Sequence, residues 1–119
     1  MLSRFLLSLL LLAPTMPAHA LSKQCGTASF YGTPSDGYAW KTMANGKPMN
    51  PTAMTTAHPY LPFGTKLLVV NQSNGKSVVV TTSDRGPYVH GRILDLSVGA
   101  FSRISSLSKG VTKVCFSKI

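Results

Sequence analysis

Three aspartates, Asp36, Asp84 and Asp95, are the only side-chain carboxylates, and there is no glutamate. Acid–base chemistry needs a group that can hold a proton and release it, so any such work here falls to one of the three. Asp84 stands in Ser83-Asp84-Arg85-Gly86-Pro87, between a predicted strand and a turn, where a side chain can be held rigidly at a groove edge. Two readings stay open for it. It is a general acid that later takes its proton back, or it is an Asx-turn aspartate capping the amides of Gly86 or Tyr88. Asp95 sits among apolar neighbours in Ile93-Leu94-Asp95-Leu96-Ser97. A buried carboxylate needs partners, and Arg85, Arg92, His58 and the amides of Ser97 and Val98 are candidates, so Asp95 reads first as structural. Asp36 lies in a Gly/Pro-containing loop that could swing over a groove. His58 precedes a turn; it either orients Asp84 or is an inert, satisfied histidine. His58 and His90 with an aspartate lack zinc-ligand spacing, so no metal and no cofactor is expected.

The first twenty residues read as a secretory signal peptide. Arg4 supplies the positive start, residues 5–12 form an apolar run broken only by Ser8, and Pro14 and Pro17 end it. Ala18-His19-Ala20 then offers small residues at the two positions that set cleavage, placed after Ala20. The run is far short of the ~20 apolar residues that span a bilayer, so no membrane span is expected. No cysteine follows the cleavage point, which argues against a lipid anchor. The domain proper is then residues 21–119, room for one small core. Its two cysteines, Cys25 and Cys115, lie near its two ends, and in an exported chain such a pair is expected to be bonded. A loop of that length would stabilise a small domain by roughly 4–5 kcal/mol in the chain-entropy model.

Lysine and arginine total 12, and loss of Arg4 with the signal takes the net charge from +9 to +8. That field favours polyanions: acidic wall polymers, anionic lipid head groups or nucleic acid. The lysines are scattered from Lys23 to Lys118 with no dense basic helix, which argues against nucleic acid. A monomer is expected.

Short strands are predicted at 26–31, 53–57, 66–71, 77–82, 93–96 and 111–116. The clearest hairpin joins the third to the fourth through Gln72-Ser73-Asn74-Gly75-Lys76. One short helix is predicted at 97–105, capped by Ser97 and turning Phe101 and Ile104 inward. Six short strands and one helix make a mainly β chain, a closed or nearly closed small barrel.

Four segments are more specific than composition: Gly26-Thr27-Ala28-Ser29-Phe30-Tyr31-Gly32; Thr42-Met43-Ala44-Asn45-Gly46; Thr55-Thr56-Ala57-His58 leading into Leu61-Pro62-Phe63-Gly64-Thr65; and Ser83-Asp84-Arg85-Gly86-Pro87-Tyr88 followed by Gly91-Arg92-Ile93-Leu94-Asp95-Leu96-Ser97. In this order and spacing the chain resembles the rare lipoprotein A (RlpA) family of bacterial envelope proteins. The resemblance implies a six-stranded double-psi β-barrel, related to the barrel domain of expansins, with a groove for a glycan strand. It further implies lytic cleavage of peptidoglycan: an acid protonates the leaving glycosidic oxygen, and the sugar's own 6-hydroxyl closes onto the anomeric carbon to leave a 1,6-anhydro end. Asp84 matches one of the family's proposed catalytic acids. His58, Arg85, Asp95, Lys47 and Tyr31 are the neighbours expected to position it or to touch glycan, and for Asp95 the resemblance also leaves a catalytic role as its second reading. Tyr31, Trp40 and Tyr88 are candidates for stacking on sugar faces.

The chain departs from the family pattern at Lys47, where the family has glutamate. No lipid-anchoring cysteine follows the signal, and no C-terminal peptidoglycan-binding repeat domain is expected after Ile119. A lysine within ~4–6 Å of a carboxylate favours its charged form, whereas a general acid has to hold its proton. Lys47 therefore argues against efficient cleavage, and it equally suits an expansin-like module that only binds or loosens wall glycan through a wall carboxylate. A solvated loop lysine outside the groove is the third reading. A further reading of the basic exported barrel is a secreted effector that binds a partner protein through its surface.

Overall fold

The computed structural model describes residues 23–119; the signal-peptide reading of residues 1–20 lies outside them. Six strands form the described chain: β1 Gln24–Tyr31, β2 Thr55–Ala57, β3 Lys66–Asn71, β4 Ser77–Asp84, β5 Arg92–Ser97 and β6 Thr112–Lys118. A helix, α1, spans Val98–Ile104, and a single 3-10 turn spans Leu107–Lys109. The strands close into a barrel in the order β1-β5-β2-β4-β3-β6. Two pairs run parallel, β1 with β5 and β2 with β4, and the other neighbours are antiparallel. The six-stranded, mainly β barrel with a single short helix agrees with the sequence reading.

Period-2 alternation explains why these segments are strands. In β3, Leu67 and Val69 point in and are buried; in β4, Val78 and Val80 do so across the hairpin. Leu94 and Leu96 of β5 and Val114 and Phe116 of β6 complete the core. The helix closes one mouth of the barrel with Ala100, Phe101 and Ile104, and Phe101 meets Phe30 at 4.8 Å between ring centres. Ser97 caps it as expected, its hydroxyl accepting from the Ala100 N–H at 3.1 Å. β2 is shorter than predicted. The Ala53 carbonyl is taken by the Thr55 N–H and the Ser97 hydroxyl rather than by a neighbouring strand.

A second, smaller cluster of Tyr31, Met43, Met49 and Ala57 fastens the long loop at 32–54 to the barrel. Gly32 is needed there. Its φ is +97°, and a Cβ would stand 2.5 Å from the Met49 methyl.

Cys25 and Cys115 face each other across β1 and β6 and are bonded, closing a loop of 90 residues between the outermost strands of the chain. Removing the bond as Cys25→Ser/Cys115→Ser is expected to destabilise the domain by about 2–5 kcal/mol. Thermal unfolding of the two forms, with and without reductant, measures this; an unchanged midpoint would mean that the core alone carries the fold.

Candidate active site

The geometry of the site follows from the shortest strand. Ala57 of β2 pairs with Asp84 of β4 on one side and with Asp95 of β5 on the other. The two carboxylates therefore flank one alanine, roughly 9–10 Å apart at the backbone, two inter-strand spacings. A methyl at the centre leaves room above it. Both aspartates line an open hollow of about 270 Å³, together with Tyr31, Tyr38, Ala57, Tyr88 and Arg92.

Asp84 is held from three directions. Its Oδ1 accepts from the Ala44 N–H and its own following N–H, that of Arg85, both at 2.9 Å. Its Oδ2 accepts from the Tyr31 hydroxyl at 2.8 Å. Neither expected turn amide, Gly86 or Tyr88, is its partner; the carboxylate instead ties the turn at Ala44 to the barrel, 40 residues away in the chain. Two oxygens offer about four acceptor positions. Three are taken, which leaves one on Oδ2.

Tyr31 is buried and serves as a donor rather than as a stacking surface. Burial pushes its phenol well above the usual range, and the hydrogen bond to Asp84 and the charges of Asp84 and Asp95 push the same way, so it keeps its proton. Tyr38 packs edge-on against it at 5.7 Å.

Asp95 pairs in register with Ser29 of β1, whose hydroxyl donates to Oδ1 at 3.0 Å. None of the partners expected from sequence bonds it, although the Arg92 charge acts on it. Burial pushes its carboxyl above the usual carboxylate range. Ser29 and Arg92 pull it back part of the way, and the charges of Asp36 and Asp84 add to the rise.

His58 follows Ala57, so alternation turns its ring to the other side of the strand. It is buried against Phe116 and Tyr60, and Nδ1 accepts from the N–H groups of Tyr60 and Leu61 at 3.2 and 3.1 Å. Burial, with Arg85 nearby, holds its pKa below the usual histidine value. Its ring neither orients Asp84 nor lines the hollow; only its backbone N–H reaches the Asp84 carbonyl, at 3.1 Å. Arg85 lines the hollow, but its guanidinium is committed to the carbonyls of His58 and Leu61, at 3.1 and 2.8 Å, and lies 4.0 Å over the Phe63 ring.

The remaining candidates stand apart. Lys47 is exposed and lines a neighbouring hollow instead of that of Asp84. Asp36 locks its own loop, accepting from the N–H groups of Gly32, Thr33 and Tyr38. Slight burial pushes its carboxyl up, but these donors and the Thr33 hydroxyl outweigh it and hold the group below the usual range. Trp40 is exposed at a φ of +66° and lines neither hollow, while Tyr88 stands exposed at the rim of the first. Sequence reasoning missed Ser29 and Ala57, whose roles come only from register. Among the described residues no group of three or more His, Cys, Asp or Glu is gathered as a metal would require. No helix among them is long and apolar enough to cross a membrane.

Comparison with known proteins identifies the family and the fold. A family model described as lytic transglycolase matches residues 23–116. A probable endolytic peptidoglycan transglycosylase RlpA of Nostoc sp. is 51% identical over 89 residues, covering 75% of this chain and 24% of the relative. An endolytic peptidoglycan transglycosylase RlpA of Campylobacter jejuni is 44% identical over 89 residues, covering 75% and 31%. The chain thus spans about a quarter to two fifths of the length of such relatives. Among solved structures, the apo expansin of Clavibacter michiganensis superposes with a TM-score of 0.64 at 21% identity, over 82% of this chain and 50% of that one. A Streptomyces papain inhibitor does so at 0.63 and 23%, over 82% and 94%. At these identities the structures share the fold.

Proposed function

Since this chain belongs to the lytic transglycolase family, we propose that it cleaves the glycan strands of peptidoglycan outside the cytoplasm, leaving 1,6-anhydro ends. The observation that carries the reading is the pair of carboxylates set either side of Ala57 in one hollow, with unlike surroundings. Pairs of titratable groups whose environments differ in this way divide into acid and base.

Asp95 takes the role of acid. Burial favours its protonated form, and Ser29 occupies only Oδ1. Its proton passes to the glycosidic oxygen as the bond from the anomeric carbon breaks. Asp84 takes the role of acceptor. Three donors fix its orientation, and the position left on Oδ2 is open to the 6-hydroxyl of the same sugar. That hydroxyl gives its proton to Asp84 as its oxygen bonds the anomeric carbon. The two aspartates end with their protons exchanged, and solvent resets them. Roles therefore divide between two residues where the sequence placed both proton steps on Asp84. His58 and Arg85 act as positioning residues: Arg85 clamps the turn at 58–61, and the His58 N–H holds the end of β4. Tyr88 at the rim offers a face for a sugar ring.

Digestion of purified peptidoglycan, followed by mass analysis of the soluble products, tests this. Anhydro-ended fragments are the expected result. Intact glycan, with protein retained on the sacculus, would favour the second reading, a binding module. The exposed lysine at the family's glutamate position favours that alternative.

A further inference from the structure

The wall of the barrel opposite the two carboxylates carries a hollow of about 390 Å³, lined among others by Lys23, Leu68, Val70, Gln72, Cys115 and Ser117. In the closed order β1-β5-β2-β4-β3-β6, β3 and β6 stand three places round from β5 and β2. Asp95 points out of the barrel, because Leu94 and Leu96 on either side of it point in. The outer face of β3 and β6 therefore looks away from the hollow of Asp84 and Asp95.

Alternation builds this face. Leu67 and Val69 of β3 and Val114 and Phe116 of β6 fill the core, so Lys66, Leu68 and Val70, and Lys113, Cys115 and Ser117, turn outward. Register then sets them in rows. Leu68 stands between Ser117 of β6 and Val79 of β4, and Val70 between Cys115 and Ser77. Cys115 carries its row on to Cys25 of β1 through their bond. The middle of the face is thus apolar: Leu68, Val70, the disulfide and Val79, which is 43% exposed. Its edges are cationic. Lys66 opens β3 at one end. Lys113 stands at the other end, its carbonyl accepting from the Gln72 N–H at 2.9 Å. The two are roughly 20 Å apart along the strand direction. Lys23 stands on the flank, just before β1. All three lysines are exposed. No aspartate balances them here: Asp84 and Asp95 flank Ala57, and Asp36 is locked in its own loop.

We propose that this face docks the domain on an anionic phospholipid surface, with Lys23, Lys66 and Lys113 against lipid phosphates and Leu68, Val70 and Val79 at the headgroup boundary. Charge complementarity calls for a polyanion, and the apolar centre selects which one. The exposed aromatic side chains, Tyr38, Trp40, Tyr60, Phe63 and Tyr88, all lie outside these strands. Neither a nucleic-acid base nor a sugar ring finds a stacking surface here. A soluble polyanion has nothing to set against Leu68, Val70 and Val79, whereas a bilayer surface offers anions and an apolar boundary together. Lipids also move, so their phosphates gather under lysines placed far apart; an acidic protein would have to match three fixed points. The docking stands independently of the glycan reading. Taken with it, docking turns the carboxylate hollow away from the bilayer, toward the wall polymer.

Vesicle co-sedimentation tests this, with vesicles of phosphatidylcholine alone and of an equal mixture of phosphatidylcholine and phosphatidylglycerol. The wild-type protein is expected to bind the mixed vesicles and not the neutral ones, and binding should weaken as salt is raised. Lys23→Gln/Lys66→Gln/Lys113→Gln should lower the affinity roughly a hundredfold, about fivefold for each lysine. Lys41→Gln/Arg103→Gln/Lys109→Gln removes the same charge from exposed positions on other segments and should cost far less. Leu68→Thr/Val79→Thr should weaken vesicle binding by roughly threefold or more, yet leave binding to soluble polyglutamate, which has no apolar boundary, unchanged. Thermal melts check that each variant is folded; if the Leu68 change lowers the midpoint, Val79→Thr alone, at the more exposed site, carries the same comparison. Equal losses from the two triple variants would reduce the effect to overall charge. Vesicle binding at the wild-type level after loss of the apolar side chains would remove the bilayer from the account. Either result, or no binding to the mixed vesicles, overturns the proposal. Release of anhydro ends from purified peptidoglycan needs no lipid, so the cleavage reading stands or falls apart from these outcomes.

Discussion

Asp84→Asn is expected to slow release of anhydro-ended fragments by ~10²–10⁴-fold, the usual range for a lost acid–base group. The amide keeps the shape and can still accept from Ala44 and Arg85 through Oδ1. What it loses is the acceptor on the other side. Its NH2 group would face the Tyr31 hydroxyl, which donates there now. The phenol then has to turn its hydrogen away, and the Met43 sulfur at 3.7 Å is the acceptor within reach. A modest loss of stability, about 1 kcal/mol, should accompany the loss of activity. Tyr31→Phe separates the two effects. It removes the same hydrogen bond but leaves the Asp84 carboxylate, so it should show the stability loss with far less loss of rate. Digestion assays and thermal melts on both variants decide the matter. If Asp84→Asn cleaves at the wild-type rate, Asp84 is only a pin for the turn at Ala44, and the proton acceptor lies elsewhere.

Sequence could single out both aspartates but could not set them in one hollow, and the reason is register. A carboxylate at the end of a strand, just before an Arg-Gly-Pro turn, announces an exposed and constrained side chain. Asp95 sits inside an apolar strand, and there sequence can say only that it needs a partner. That it shares a hollow with Asp84 depends on β2 pairing with both strands through Ala57, and nothing local in Thr55-Thr56-Ala57 reveals which strands lie beside it. The same limit hid Ser29, a serine like any other until β1 sets it opposite Asp95. His58 illustrates the converse. Its type suggested chemistry, but one step along a strand reverses the side-chain direction, and its ring goes to Phe116. The strands and the helix were read well because burial on one face writes itself into a period of two or a little under four. For Lys47 the sequence left open whether the side chain stands beside Asp84 or outside the groove; the turn sets it on the wall of the neighbouring hollow.

Asp95→Asn is expected to abolish cleavage to a similar extent, ~10²–10⁴-fold, while making the protein more stable at neutral pH. The second half follows from burial. Asp95 has a folded-state pKa above that of an unfolded aspartate, because burial disfavours its charge. Between those two pKa values the folded chain binds the proton that the unfolded chain has released. Stability therefore falls as pH rises through this window, and the contribution is fully present only below the unfolded value. At neutral pH the wild-type protein carries the unfavourable burial of a charge. Asparagine has no charge to bury, and its Oδ1 can still accept from Ser29. Melting midpoints across pH 3–8 should thus show the variant above the wild type near neutrality, with the gap closing in acid. Asp36 works in the opposite sense: its carboxyl is held low, so its contribution is lost as pH falls through its folded-state value. It is present in both proteins and cancels in the comparison. Wild-type activity should fall as pH rises through the Asp95 transition, since only the protonated acid can serve the leaving oxygen. A variant that is inactive but less stable at neutral pH would mean that Asp95 is ionised and structurally required, and the acid would then have to be sought at Asp84.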